Sequence, residues 1–460
     1  MEQFVQFDAD LIRRYDKAGP RYTSYPTAVQ FDEAFGEAEY RRMAERSNEC
    51  GGPLSLYFHL PFCDTVCFYC ACNKIVTKNR KRAQPYLARL YREMELQAEL
   101  FDSQRPVDQL HWGGGTPTFI SDAEMTELME TTARHFRLRD DDSGEYSIEV
   151  DPREADAATI GLLRDLRFNR ISLGVQDFDP RVQTAVNRIQ SEQQTFTVME
   201  AARRLGFRSV SVDLIYGLPL QSVESFGRTL ERIIDAAPDR LSVFNYAHLP
   251  DLFKTQRQID AAQLPSAAEK LDILQLTIER LTGAGYVYIG MDHFARPDDE
   301  LAVAQREGTL YRNFQGYSTH AECDLVALGI TGVGMVANSY SQNVRDMDEY
   351  YARLDAGRLP VFRGVELSSD DLLRREVISQ LICHFVLDIP ALEQRHGIRF
   401  EDYFAAERQE LARMQADGLL IADDRRIEVR PAGRLLIRNI CMVFDRYLRE
   451  QRGRRFSRVI

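Results

Sequence analysis

The sequence predicts an α/β fold built on a parallel sheet. Between residues 54 and 246, short apolar segments end in glycine, proline or polar residues, and amphipathic helical segments separate most of them. The strand segments are LSLYFHL, DQLHWGG, YSIEV, RISLGV, SVSVDLIYG and LSVFNY. Six strand–helix units indicate a parallel sheet but are too few for a closed eight-stranded barrel. We therefore expect a partial (βα)6, TIM-like barrel.

The regular alternation defines the predicted domain boundaries. Residues 49–250 form the barrel core, and residues 251–365 predict a less regular extension that completes the cavity. In residues 366–460, a short hairpin, LIADDRRIEVR, and three helical stretches predict a mostly helical, winged-helix-like domain. The helical stretches are SSDDLLRREVISQLICHF, FEDYFAAERQELARMQADGLL (residues 400–420) and RPAGRLLIRNICMVFDRYL.

Composition limits the classes of function. The 460 residues carry a formal net charge of −12, which argues against broad binding to nucleic-acid phosphates. We interpret the arginine-rich end, RYLREQRGRRFSRVI, as a solvated helix end because it closes on the apolar Val459 and Ile460. No apolar run approaches a membrane span of about 20 residues, and the first residues lack a secretion signal, so we expect a cytoplasmic protein.

Four cysteines lie within ten residues. Cys63, Cys67 and Cys70 form a CxxxCxxC pattern, and Cys72 follows one residue later. Structural zinc sites favour two separated ligand pairs, and a disulfide framework is typical of short secreted chains, so both alternatives fit poorly. The remaining cysteines are scattered: Cys50, Cys323, Cys383 and Cys441. The pattern favours an iron–sulfur cluster.

Three thiolates on one loop suit a [4Fe–4S] cluster whose fourth iron stays open. Such an iron chelates the amino and carboxylate groups of S-adenosylmethionine, and one electron then cleaves the sulfonium bond. The resulting 5′-deoxyadenosyl radical removes hydrogen from unactivated carbon, while the protein supplies position and exclusion. The spacing therefore indicates that the loop is catalytic.

Further polar residues follow the predicted strands. Ligands of parallel sheets lie beyond the carboxyl ends of the strands, so these residues are expected to share one cavity. Glycines there let the backbone approach a ligand closely, and an arginine suits a carboxylate. An aromatic residue in a strand is also a common core residue, and this alternative stays open for the tyrosine. The candidates are Tyr57, Gly113, Gly114, Gly115, Glu149, Gln176, Arg188 and Asp213.

Several segments together resemble one family, the oxygen-independent coproporphyrinogen III oxidases of the radical S-adenosylmethionine class. The resemblance runs almost end to end and implies an N-terminal arm, residues 1–48, that closes over the active site. It rests on AGPRYTSYPTA, YFHLPFCDTVCFYCACNKIVTK, WGGGTPT, SIEVDPRE, SLGVQDFD, VNRIQ, SVDLIYGLP, GMDHFARPDDELA and the terminal FSRVI.

The resemblance implies a role for each matched residue. Cys63, Cys67 and Cys70 would ligate the cluster, and Cys72, Tyr57 and Glu149 would be catalytic. A first S-adenosylmethionine would contact Tyr57, Gly114, Glu149 and Val333. A second S-adenosylmethionine would contact Tyr69, Gly115, Thr116, Gln176, Arg188, Asp213 and Ala247.

The implied reaction is oxidative decarboxylation of two propionate side chains of coproporphyrinogen III to vinyl groups. Its products are protoporphyrinogen IX and carbon dioxide, in haem biosynthesis. The resemblance also implies an electron donor such as flavodoxin or ferredoxin, an unidentified electron acceptor and a monomeric chain. Arg21, Tyr22, Tyr25 and Arg188 are candidates for binding propionates, although packing is an equal alternative for the first three.

A haem-binding chaperone without decarboxylase activity is the alternative function. The chaperones of this class lack the fourth cysteine and the long N-terminal arm. Cys72 therefore favours the enzyme.

Overall fold

The computed structural model describes residues 4–450. They contain twenty strands and seventeen α-helices. The strands are β1 (Leu54–Leu60), β2 (Phe62–Cys63), β3 (Ile75–Val76), β4 (Pro106–Gly114), β5 (Arg137–Leu138), β6 (Glu145–Val150), β7 (Arg170–Gln176), β8 (Ser209–Tyr216), β9 (Arg240–Asn245), β10 (Val287–Gly290), β11 (His293–Ala295), β12 (Tyr311–Asn313), β13 (Gly316–Ser318), β14 (Asp324–Leu328), β15 (Val333–Val336), β16 (Ser339–Asn343), β17 (Val361–Glu366), β18 (Val386–Asp388), β19 (Leu420–Ala422) and β20 (Arg426–Val429).

The helices account for most of the remaining regular structure. They are α1 (Ala9–Tyr15), α2 (Glu37–Cys50), α3 (Ala83–Ala98), α4 (Asp122–His135), α5 (Ala157–Asp165), α6 (Pro180–Ala185), α7 (Glu192–Arg204), α8 (Val223–Ala236), α9 (Ala267–Gly283), α10 (Glu300–Glu307), α11 (Met347–Asp355), α12 (Ser369–His384), α13 (Ile389–His396), α14 (Phe400–Tyr403), α15 (Arg408–Ala416), α16 (Ile437–Val443) and α17 (Arg446–Glu450). None of them, within residues 4–450, combines the length and apolar character that a membrane crossing requires.

The chain divides into two units, each assembled from separate stretches of sequence. The barrel unit consists of residues 30–265 and 322–366. The C-terminal unit takes its described residues from the ranges 1–29, 266–321 and 367–460. The four consecutive domains expected from the sequence stay a prediction.

Six parallel strands form the centre of the barrel unit. Their order is β1, β4, β6, β7, β8, β9, and each pairs in parallel with the next. On the other side of β1 the sheet continues with the parallel β14 and the antiparallel β15, β16 and β17. The six parallel strands at the centre are the six that the sequence predicts, and the partial (βα)6 barrel is confirmed.

Alternation along the strands gives the sheet one polar and one apolar face. Tyr57 pairs with His111, and His111 pairs with Ser147, so these side chains share a face. Phe58 and Trp112 lie on the opposite face and are fully buried. Helices cover the apolar face, as α7 does on β7 and β8. The polar face therefore remains to line a cavity.

Some of the helices that follow barrel strands begin at capping boxes. In α4, the Ser121 hydroxyl accepts from the Glu124 N–H, and the Glu124 carboxylate accepts from the Ser121 N–H. The same exchange joins Ser191 and Gln194 at the start of α7. These side chains satisfy backbone donors that a helix leaves free at its first turn. They fix where each helix begins after its strand.

The C-terminal unit confirms the predicted hairpin, in which β19 pairs antiparallel with β20. A third strand, β18, was not predicted, and it pairs with the other edge of β20. One helix predicted from Phe400 to Leu420 is wrong, because the chain breaks between α14 and α15. The break buries Phe404 against Phe444 and lets the buried Glu407 bind Arg374. The terminal FSRVI lies outside the described residues.

Two of the proposed propionate contacts have packing partners in the C-terminal unit. The Tyr22 hydroxyl donates to Asp445 at 2.9 Å, and the Tyr25 hydroxyl accepts from the Arg446 N–H at 3.1 Å. Both tyrosines are buried. These contacts support the packing alternative for the two tyrosines. Arg21 is more exposed and pairs with Asp292 at 3.1 Å.

A buried carboxyl group fixes the loop that follows β14. Glu93 on α3 is fully buried and accepts from the Tyr350 hydroxyl at 2.5 Å and from the Asn343 amide at 2.7 Å. It also accepts from the Gly329 N–H at 2.8 Å. Burial raises the pKa of Glu93 to about 7, against the opposing effect of these donors. Glu93 thus fixes the start of the loop between β14 and β15, residues 329–332.

We expect this group to make stability depend on pH. Its pKa is higher in the folded protein than the usual value of 4.5, so the free energy of unfolding falls as pH rises through 7. The contribution is about 3 kcal/mol, at 1.36 kcal/mol per pKa unit. Urea unfolding of the cluster-free protein between pH 5 and 8 measures it. Glu93→Gln should remove this slope, and an unchanged slope would show that Glu93 does not titrate in this range.

Candidate active site

Hydrogen bonds from several elements hold the backbone of the loop that carries the three cysteines. The Phe68 N–H donates to the Val186 carbonyl at 2.9 Å, and the Asn187 amide donates to the Val66 carbonyl at 2.8 Å. From the segment after β9, the Thr255 hydroxyl donates to the carbonyl of Cys70 at 3.1 Å. The loop is therefore fixed from both sides of the barrel mouth.

The residues after the loop anchor its second half. β2 and β3 pair in parallel, which places Val76 beside Cys63. The Lys74 ammonium donates to the carbonyl of Cys70 at 3.0 Å. The Cys72 thiol shares a hydrogen bond with the Cys70 sulfur, which lowers the pKa of Cys70 and raises that of Cys72. Cys72 is thus adjacent to the three-cysteine pattern in space as well as in sequence.

Hydrogen-bond donors surround the sulfur atoms. The Arg188 and Arg153 guanidinium groups lie 3.5 and 3.8 Å from the Cys67 sulfur, and the Thr116 hydroxyl lies 3.7 Å from that of Cys63. The Thr116 hydroxyl favours the thiolate of Cys63, which is the form that binds metal. Burial, however, raises the pKa of Cys63 to about 11. Ionisation of Cys63 therefore needs a stronger partner, such as iron.

The spacing of these sulfur atoms distinguishes between metals. Among residues 4–450, the three cysteine sulfur atoms do not all lie within 4.8 Å of one another, as they would around a single ion. The ligands of one tetrahedral zinc lie closer together than this, because each Zn–S bond is about 2.3 Å. The donor set therefore fits a multi-iron cluster better than zinc.

The glycine run brings the backbone against the loop. Gly114 has a φ of +113°, and a Cβ there would lie 2.7 Å from the His59 ring. A Cβ on Gly115 would lie 2.6 Å from the Phe62 carbonyl oxygen. The Gly115 N–H donates to the Leu60 carbonyl at 2.8 Å. Only glycine permits this approach of β4 to the start of the cysteine loop.

Glu149 is the anion beside the glycine run. It accepts from the Gly114 N–H at 3.1 Å, and its other oxygen lies 3.5 Å from His111. Desolvation alone would raise the pKa of Glu149, but His111 and the Gly114 N–H lower it overall. The carboxylate is 48% exposed at the mouth of the sheet. It is therefore ionised and accessible to a cationic group.

Two histidines, which were not among the predicted site residues, contact the side chain of Tyr57, which was. The Tyr57 ring stacks on His111 with centroids 5.8 Å apart, and its hydroxyl is 3.1 Å from Nδ1 of His59. His59 also contacts the Asn73 carbonyl, just after Cys72, at 3.1 Å. Both histidines follow the period of two that marks the polar face. That pattern could have identified them.

Arg188 and Gln176 carry polar atoms that lack partners within the described chain. Arg188 is buried and donates to Asp151 at 2.9 Å and to the Gly174 carbonyl at 2.5 Å. Its Nε and the Oε1 of Gln176 are buried with no hydrogen bond among residues 4–450. Gln176 also has a φ of +69°. Unsatisfied buried groups beside strained backbone are typical of ligand sites.

Asp213 lies on the same polar face. It pairs with Gly174 on β7 and with Ser242 on β9, and it accepts from the Ser172 hydroxyl at 3.1 Å. Burial raises the pKa of Asp213 to about 6. The carboxylate is ionised at neutral pH but close to its titration range.

The remaining candidates are placed less directly. Tyr69 lies in the cysteine loop, and its carbonyl accepts from Gln256 at 3.1 Å. Ala247 is two residues beyond the end of β9, and Val333 begins β15, which β14 separates from β1. The structure thus brings the cysteine loop, glycines, Glu149, Arg188 and Asp213 to one face of the sheet.

This chain is similar in sequence to known protein families and proteins. The Radical SAM superfamily model matches residues 57–233, and the HemN C-terminal domain model matches residues 367–436. Oxygen-independent coproporphyrinogen III oxidase of Pseudomonas aeruginosa is 56% identical over 99% of both chains. That of Escherichia coli K12 is 50% identical over 100% of this chain and 99% of the other.

A solved structure extends the likeness to the coordinates. Coproporphyrinogen III oxidase (HemN) from Escherichia coli, described as a radical SAM enzyme, matches with a TM-score of 0.92. The two sequences are 49% identical over 96% of this chain and 100% of the other. This chain therefore belongs to the oxygen-independent coproporphyrinogen III oxidase family of radical S-adenosylmethionine enzymes.

Proposed function

We propose that this chain converts two propionate side chains of coproporphyrinogen III to vinyl groups, giving protoporphyrinogen IX and carbon dioxide. The observation that carries the proposal is one assembly: three cysteines beside a glycine run and an ionised Glu149, at the polar face of a partial barrel. Identity of 56% along 99% of a family member supports the same chemistry.

Cys63, Cys67 and Cys70 are proposed to ligate a [4Fe–4S] cluster. A cluster held by these three thiolates would supply the one-electron chemistry that S-adenosylmethionine cleavage and hydrogen abstraction require. Arg153 and Arg188 contact the Cys67 sulfur and so fix its position in the loop. The contacts from Lys74 and Thr255 to the Cys70 carbonyl keep the loop in one conformation.

Four residues are proposed to hold the first S-adenosylmethionine. Glu149 is anionic and accessible, so it suits the cationic amino group, and His111 and Gly114 fix its position. Tyr57 offers a hydroxyl that His59 orients. Gly114 offers close backbone approach, and Val333 follows the loop that Glu93 holds.

A second S-adenosylmethionine is proposed beside Arg188. Its guanidinium suits a carboxylate, and the unpaired Nε and the Gln176 Oε1 have hydrogen bonds left to make. Asp213 is suited to accept from ribose hydroxyl groups. Tyr69, Gly115, Thr116 and Ala247 are proposed to complete this site.

The overall chemistry requires two external partners. Each propionate loses one hydrogen atom and carbon dioxide, and one electron then leaves for an acceptor. The cluster needs one electron per S-adenosylmethionine from a donor such as flavodoxin or ferredoxin. Both partners, a monomeric state and a cytoplasmic location are proposed from the sequence.

Anaerobic turnover tests the function directly. The reconstituted protein should convert coproporphyrinogen III to protoporphyrinogen IX when S-adenosylmethionine, dithionite and a one-electron acceptor are supplied, because the reaction takes up one electron for each S-adenosylmethionine and releases one with each carbon dioxide. Chromatography of the oxidised porphyrins measures both species. Absence of product, together with tight stoichiometric haem binding, would favour the haem-binding chaperone.

Substitution of cysteines tests the ligand set. Cys63→Ala, Cys67→Ala and Cys70→Ala should each abolish cluster binding, whereas Cys72→Ala should keep the cluster and lose turnover. Iron and sulfide content and visible absorbance provide the measurement. Cys50→Ala, an exposed cysteine outside the loop, is the matched control. Loss of the cluster in Cys72→Ala would show that the proposed ligands are incomplete.

Binding stoichiometry tests the second S-adenosylmethionine. Equilibrium dialysis should give two molecules per cluster-loaded chain, and Asp213→Asn should reduce the number to one. Because the pKa of Asp213 is about 6, protonation should weaken the second site as pH falls through that value. Glu149→Gln is the comparison variant and should weaken the first site. One molecule per wild-type chain at neutral pH would rule out the second site.

A further inference from the structure

A basic segment directly follows the cysteine loop. Residues 74–82 contain five cationic side chains and no acidic one, in a chain whose formal net charge is −12. The segment reads KIVTKNRKR, and its cations are Lys74, Lys78, Arg80, Lys81 and Arg82. It is therefore a local positive region on an acidic protein.

Two of these cations have structural partners. Lys74 donates to the carbonyls of the cysteine loop. Arg80 pairs with Asp64 at 2.6 Å and Glu154 at 2.7 Å, and its guanidinium lies 4.5 Å from the centre of the Phe119 ring. These contacts hold the segment against the barrel. They account for only part of its charge.

The other three cations, Lys78, Lys81 and Arg82, are exposed and form no ion pair with any residue in the range 4–450. Burial in the fold therefore does not explain them. An uncompensated cluster of one sign raises the local concentration of partners of the opposite sign and speeds their association.

The position of the segment relates this charge to the proposed cluster. β3 pairs with β2 in a register that sets Val76 beside Cys63, so the segment begins next to a proposed iron ligand. Val76 is an apolar residue with 43% exposure, and Lys74 and Lys78 lie on either side of it in sequence. An apolar centre with a charged rim is typical of protein interfaces, and small ones suit transient electron-transfer partners.

We propose that Val76, Lys78, Lys81 and Arg82 form the docking surface for an acidic one-electron carrier protein. The inference rests on the proposed function, because that reaction needs one external electron for each S-adenosylmethionine cleaved. The carrier is oxidised by one electron and the cluster is reduced by one, with no other bond or proton involved. Docking here places the carrier beside the strand that contains Cys63. The positive charge selects acidic carriers and increases their rate of encounter.

A pair of charge-reversed variants tests the surface. Lys78→Glu with Lys81→Glu changes the segment, whereas Arg134→Glu with Arg204→Glu makes the same change of charge elsewhere. Arg134 and Arg204 are exposed and lie in the last turns of α4 and α7. Both helices lead toward the amino ends of strands, the opposite edge from the cysteine loop. Circular dichroism verifies that both variants are folded.

Flavodoxin, an acidic one-electron carrier, is the probe. Its oxidised form, carrying a fluorescent label, is titrated with each cluster-loaded variant and binding is followed by anisotropy. Its reduced form then drives cluster reduction in stopped flow and product formation at steady state. The same turnover assay with dithionite in place of flavodoxin measures the reaction without docking.

We expect the segment variant to bind flavodoxin on the order of tenfold more weakly at low salt, and to reduce its cluster correspondingly more slowly. The difference should shrink as salt is raised, because exposed charges are screened. Turnover with dithionite should match wild type, and the control variant should retain flavodoxin binding.

Three results would overturn the docking surface. One is unchanged flavodoxin binding in the segment variant, and another is an equal loss in both variants. The third is a raised KM of the segment variant for coproporphyrinogen III in the dithionite assay. That result would mean that the positive charge binds the anionic substrate and not the carrier. Failure of the wild type to form product with dithionite would instead contradict the proposed function, and the binding titration would still decide on the surface.

Discussion

The separation of mostly polar from mostly apolar side chains on the two faces of the parallel sheet determines how this protein is built. Ser55 donates to Gln109 at 2.8 Å, and Gln109 donates to Glu145 at 2.9 Å, across three neighbouring strands. A shift of one residue in any strand would turn these groups toward the helices and bring apolar side chains such as Trp112 inside. Both errors are costly, so the polar ladder and the apolar core specify the same register.

The same polar face changes character along the strands. Near the amino ends of the strands, the polar groups bond to one another and leave nothing for a ligand. They are Ser55, Gln109 and Glu145. At the carboxyl ends, Gln176 and Arg188 keep polar atoms without a partner in the described chain, and Glu149 remains accessible. Capacity to bind therefore increases toward the mouth. The cysteine loop lies at this end, where β1 passes into β2.

The sequence predicted the features that repeat locally and missed those that depend on register or on distant contacts. Short apolar segments alternating with amphipathic helical stretches identified all six barrel strands, and the cysteine spacing identified the loop. His59 and His111 were missed although both follow the period of two: His59 contacts Tyr57 on the same strand, and His111 stacks on Tyr57 from the neighbouring strand. Glu93 was missed because its partner Gly329 lies 236 positions away. The break between α14 and α15 likewise depends on Phe404 and Phe444, which local helix propensity does not register.

Arg188 connects the cysteine loop with the rest of the proposed site. One nitrogen lies near the Cys67 sulfur and also bonds to Asp151, and another bonds to the Gly174 carbonyl on β7. Arg153 shares Asp151, so two cations face one carboxylate and leave one positive charge beside the sulfur. A buried cation without a compensating anion is unfavourable. The guanidinium group beside the Cys67 sulfur is therefore also the one whose Nε has no hydrogen-bond partner among the described residues.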